Sequence, residues 1–68
     1  MKLINALGDQ VKTGDIVWRG RTAYIFLDIR GTRVEVLTTD DRRMFVHFQP
    51  HELNLTLEAY DESKDTSN

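Results

Sequence analysis

The chain contains no cysteine, which excludes both a disulfide framework and a thiolate zinc site. That composition is compatible with a reducing compartment, and a cytoplasmic location is the expectation. No apolar run approaches the roughly 20 residues of a helical membrane span. Lys2 is followed only by Leu3-Ile4 before Asn5 and Asp9 intervene, too short for the apolar region of a signal peptide. No membrane association is expected. The four glycines are scattered and match no phosphate-cradling loop. The two histidines, His47 and His51, straddle the single proline, Pro50, so they do not share a helical face as a metal pair would. They read as a strand-surface histidine and a turn histidine. Asp40-Asp41 resembles a carboxylate pair, but it stands in a turn beside Arg42-Arg43, where solvation and local ion pairing account for it. With no cofactor, metal or catalytic constellation in view, the expectation is a protein that is not an enzyme.

What is present is a rhythm. From Gly14 to Leu57, short apolar stretches alternate with glycines and charge clusters: GDIVWRG, TAYIFLDIR, TRVEVLTT, RRMFVHF and LNLTL. Segments of this length with tight polar turns between them predict a small antiparallel all-β barrel. The 68 residues permit one domain with one modest core. Charge is uneven along it. Residues 14–49 hold six arginines against five acids, whereas residues 50–68 hold five acids against Lys64 alone. Asp61 to Asn68 has no apolar residue, and such a segment cannot bury enough surface to offset its ordering entropy. Three regions are therefore expected: an N-terminal arm (1–12), a barrel (13–58) and an acidic disordered tail (59–68).

Within the arm, Leu3, Leu7 and Val11 fall at helical spacing, but Gly8 and Asp9 interrupt it. A short helical turn or an irregular segment covering one barrel end is expected. Thr13-Gly14-Asp15 signals a turn, Ile16-Val17-Trp18 the first strand, and Gly20 the next turn. From Thr22 to Arg30, alternation places Ala23, Ile25, Leu27 and Ile29 on an inward aliphatic face, with Tyr24, Phe26, Asp28 and Arg30 outward. Arg30-Gly31-Thr32-Arg33 predicts a tight hairpin in which the glycine supplies positive φ. Val34 and Val36 should then face inward, and Thr38 to Arg42 should turn again. Met44 to Phe48 is apolar on both faces, so its register is open. Gln49-Pro50-His51-Glu52 predicts one turn of 3₁₀ helix. Leu53, Leu55 and Leu57 alternate as a fifth strand.

Five strands with short turns and a single helical turn before the last resemble the SH3-like small β-barrel. The opening glycine-acid-x-valine, Gly14 to Val17, is similar to the start of Tudor, KOW and photosynthetic electron-transfer accessory barrels. The stretch Met44 to Asn54 resembles the aromatic-rich strand, short turn and glutamate-leucine ending of several such barrels. Among these are the variable chain of ferredoxin-thioredoxin reductase and the small type II dihydrofolate reductases. The resemblance spans about residues 13–57 and implies a five-stranded barrel with one 3₁₀ turn before the last strand. The Val-Gln-Ile-Tyr active-site run of the small reductases does not occur here.

An outward Tyr24 and Phe26, with Trp18 and Phe45 on neighbouring strands, would form an aromatic patch rimmed by Arg19, Arg21 and Arg43. Trp, Tyr and Arg are the types most enriched at binding hot spots. The competing reading is a second, minor core covered by the N-terminal arm or by Tyr60. The leading expectation is a small accessory or regulatory module docking on a larger protein partner. Nucleic-acid binding by the same face comes second, since arginines beside aromatics suit phosphates and bases, although the acidic balance opposes it. Self-association as a homodimer comes third.

Overall fold

The structure is a computed structural model, and it describes residues 1–59. The chain is all-β. Among the described residues, seven strands form two antiparallel sheets: β1 (Lys2–Ile4), β2 (Gln10–Val11), β3 (Ile16–Arg19), β4 (Thr22–Arg30), β5 (Arg33–Thr38), β6 (Phe45–Phe48) and β7 (Thr56–Glu58). One 3₁₀ turn, Pro50–Leu53, precedes β7. The larger sheet runs β3-β4-β5-β6 and the smaller β2-β1-β7. Among the described residues no closed barrel forms, which corrects the expected five-stranded barrel. The reason lies in the last strand. Asn54 leaves the 3₁₀ turn in the left-handed region (φ 56°), and Leu57 then pairs with Leu3 of β1 rather than closing onto β3.

The N-terminal segment is therefore a core strand and not an arm. Leu3 is 1% exposed and pairs with Val11 on one side and Leu57 on the other. Neither helix nor irregular arm forms, because Asn5 closes a hairpin loop. Its Oδ1 accepts hydrogen bonds from the N–H of Leu7 and of Asp9, at 2.9 and 3.0 Å. Leu7, expected to join Leu3 and Val11, sits exposed at the loop tip.

Two-residue loops starting with glycine join β3 to β4 and β4 to β5. Gly31 has φ +65°, the handedness that matches the twist of the flanking strands. Val34 and Val36 face inward with no exposure, and Val46 and Phe48 point the same way on β6. The inner face packs on Leu3, Val11, Leu53 and Leu55 to form the core. The sheet also rolls strongly. The rings of Tyr24 and Phe48 meet edge to face with centroids 5.0 Å apart, although β-spacings would separate those positions by about 16 Å in a flat sheet.

β4 departs from simple alternation. Val34 and Val36 are inward and the β4–β5 hairpin is two residues long. An unbroken ladder would place Ile29, Leu27 and Ile25 inside with them. Instead Ile29 pairs with Val34 but Phe26 pairs with Val36, with Leu27 as the extra residue of a bulge. The carbonyl of Leu27 accepts a hydrogen bond from Thr13 Oγ1 at 2.8 Å. Ile29 thus faces inward as expected, but the N-terminal half of the strand is inverted. Phe26 is 5% exposed in the core and Tyr24 packs against it, while Ala23, Ile25 and Leu27 are half-buried. The acidic tail expected beyond Glu58 lies, from Tyr60 onward, outside the described residues.

Candidate functional site

Inverting half of β4 moves aliphatic side chains to the outside. Cross-strand register aligns Ile16, Ile25, Leu37 and Phe45 in one row across all four strands of the larger sheet. These residues lie on the face opposite the core, since Val17, Tyr24, Val36 and Val46 beside them turn inward. Trp18 and Ala23 form the adjoining row. Ile16, Trp18 and Phe45 are each more than half exposed, as is Met44 just before β6. An antiparallel sheet with one solvated face ordinarily alternates polar residues outward. Here the outward positions at one end of the sheet are apolar.

The other end of the same face is polar. Asp28 pairs with Glu35, and Glu35 with His47. Glu35 Oε2 lies 3.3 Å from His47 Nε2, and its Oε1 accepts from Arg30 Nε at 3.3 Å. This row is a network of polar and charged side chains in which Arg30–Glu35 is the ion pair, and among the described residues no three His, Cys, Asp or Glu side chains converge as metal ligands. No helix of the described residues is long and apolar enough to cross a membrane.

The loops at the apolar end supply charge. Antiparallel order brings the β3–β4 turn, with Arg21, to the same end as the β5–β6 loop, with Arg42 and Arg43. All three arginines are exposed, and among the described residues none makes an ion pair. Asp40 organises this loop instead of pairing with them. Its Oδ1 accepts from Thr38 Oγ1 at 2.9 Å and from the Arg42 N–H at 3.0 Å. The Thr38 hydroxyl foremost, with the backbone N–H groups of Arg42 and Arg43, holds its carboxyl below the ordinary aspartate range against an opposing effect of burial.

The residues expected to form the aromatic face are thus divided. Trp18 and Phe45 lie on the outer face, with Arg21 and Arg43 at its rim. Tyr24 and Phe26 are on the core side, so the patch is not built on them. Arg19 points to the inner side, where its guanidinium stacks 5.1 Å from the Phe48 ring centroid and pairs with Glu52 Oε1 at 3.3 Å. Glu52 is itself fixed by the Gln49 N–H, which donates to its Oε2 at 2.8 Å. That bond first, then Arg19, lowers the Glu52 pKa against an opposing effect of burial. Ile16, Ile25, Leu37, Met44 and Arg42 belong to the surface and were not anticipated. The signal for Ile25 was the unbroken apolar run Ala23 to Leu27, which marks a strand apolar on both faces. Comparison with known proteins found no matching family model, curated protein or solved structure.

Proposed function

We propose that the chain is a non-enzymatic binding module, an opened variant of the SH3-like small barrel, that docks on a larger protein partner. The strand order with a 3₁₀ turn before the last strand and the strong roll of the larger sheet support the architectural part. One observation carries the functional part: an outward apolar row, Ile16-Ile25-Leu37-Phe45, crosses all four strands of the larger sheet, its ends Ile16 and Phe45 and the adjoining Trp18 more than half exposed and its centre half-buried. Patches of this kind mark interaction sites, and an aromatic centre with an arginine rim is a hot-spot composition. Trp18 and Phe45 are the anchors, and Arg21, Arg42 and Arg43 the charge-complementary rim.

Affinity capture with the wild-type chain, followed by calorimetry with the purified partner, tests this. Trp18→Ala with Phe45→Ala should weaken binding by a hundredfold or more, on the order of 3 kcal/mol, while circular dichroism stays unchanged. Retained affinity in that variant would refute the site. Arg21, Arg42 and Arg43, without ion pairs among the described residues, favour a second reading, single-stranded nucleic acid stacked on Trp18 and Phe45. Salt separates the two. Oligonucleotide affinity falls by about 0.7 log units per log unit of salt for each phosphate neutralised on a single strand, whereas apolar docking changes little.

A further inference from the structure

Among the described residues, β3 ends the larger sheet with one edge unpaired. Asp15 accepts from Phe26 N–H, and Val17 pairs with Tyr24, so odd-numbered residues direct their backbone groups toward β4. The N–H and C=O of Ile16 and Trp18 therefore point the other way, to the open edge. Among the described residues, no backbone hydrogen bond outside the strand ladders reaches either residue. The edge opens on a groove of about 490 Å³, lined on one side by Asp15 to Trp18 and on the other by Leu53 to Leu55. Natural sheets guard such edges with lysine, proline or very short strands. β3 has no lysine or proline, whereas β2 spans two residues and β7 three.

We infer that this edge pairs with β3 of a second copy of the chain, antiparallel about a two-fold axis at Val17. The segment Asp15-Ile16-Val17-Trp18-Arg19 is a chemical palindrome, acid, three apolar residues, base. With the axis at Val17, Ile16 of one copy stands opposite Trp18 of the other. Each pair exchanges two N–H···O=C bonds in the hydrogen-bonded register, and the two pairs account for all four outward groups. The same register sets Asp15 opposite Arg19 of the second copy, twice, so each Arg19, already paired with Glu52 of its own chain, gains a second carboxylate at its end of the seam. A slip of two residues in either direction loses both Asp15–Arg19 matches at once, because the axis relates them. Ile16 and Trp18 of both copies stay on the outer face, where the two apolar rows become one. The outer face remains open in this dimer, so the inference does not rest on the function proposed above.

Sedimentation equilibrium on the full chain, from micromolar to about 1 mM, should show a monomer–dimer equilibrium. Amide exchange at Ile16 and Trp18 should slow at least about tenfold from the dilute to the concentrated sample, while Val17 stays protected in both. Trp18→Pro removes one outward N–H without touching the β4 ladder and should weaken dimerisation tenfold or more. Arg19→Asp and Asp15→Arg should each be monomeric alone and should dimerise when mixed one to one, because only the mixed pair opposes unlike charges at both ends. A monomer throughout the concentration range would overturn the inference. So would a dimer whose Ile16 and Trp18 amides exchange as fast as in the monomer, or protection of those amides only by an added peptide of alternating lysine and valine. If a variant fails to fold, the exchange measurement on the wild-type chain decides alone.

Discussion

Phe26 and Phe45 are the same side chain on the same sheet, yet one is 5% exposed and the other 67%. The faces they occupy differ less in composition than in cover. The inner face carries Val17, Tyr24, Phe26, Val34, Val36, Val46 and Phe48, and the outer face carries Ile16, Trp18, Ile25, Leu37 and Phe45. The small sheet, through Leu3, Val11 and Leu57, closes over the first and leaves the second open. Apolar character in a strand states only that a face can be buried. A second layer decides which face is.

That contrast can be broken most sharply at the two phenylalanines. Phe26→Ala should cost about 3–5 kcal/mol by leaving a cavity against Leu3 and Val36, enough to abolish folding in a domain this small. Phe45→Ala should shift stability by no more than about 0.5 kcal/mol. Urea denaturation of the two variants measures the difference, and equal losses would mean that the outer face is covered too. Thr13→Val should cost about 1 kcal/mol, because it removes the hydroxyl that satisfies the bulged Leu27 carbonyl. A neutral result in the same assay would show that the bulge stands without it.

Acid sharpens the comparison between the core and the turns at its margin. Asp40 and Glu52 both have pKa values below those of the unfolded chain. Each therefore contributes stability present above the unfolded value, 3.8 and 4.5 respectively, and lost as pH falls through the lower folded value. Thermal melts between pH 7 and 3 should show that loss, and Glu52→Gln should flatten its upper part. The smallest effect is expected at Leu37→Thr on the outer face, a change of a few tenths of a kcal/mol. A loss of 2 kcal/mol there would place Leu37 in a packed layer.

Much of this architecture was legible before the structure. The hairpin at Gly31, the inward valines Val34 and Val36, the 3₁₀ turn at Pro50 and the all-β class rest on local chemistry: positive φ at a glycine, a fixed φ at a proline, period-two alternation. The candidate face was legible only at Trp18, Phe45, Arg21 and Arg43. Tyr24 and Phe26 were misassigned because the five apolar residues Ala23 to Leu27 satisfy either parity. The hairpin register then favours the wrong one unless a bulge intervenes. Leu3 was underrated for a different reason: a three-residue strand carries no periodicity to detect.

Sequence alone determined the turns at Gly20, Gly31 and Pro50, because each depends on the torsional freedom of one or two residues and on nothing distant. It also determined that the strands after Gly14 would be apolar enough to need a core. Only the tertiary structure decided which side of β4 would fill that core. The bulge at Leu27 is held by Thr13, fourteen positions earlier in the chain, and the core it serves is closed by Leu3 and Leu57 from the two ends of the described chain. Contacts so far apart in sequence leave no trace in a local pattern, yet one extra residue in a ladder of period two reverses every side chain beyond it.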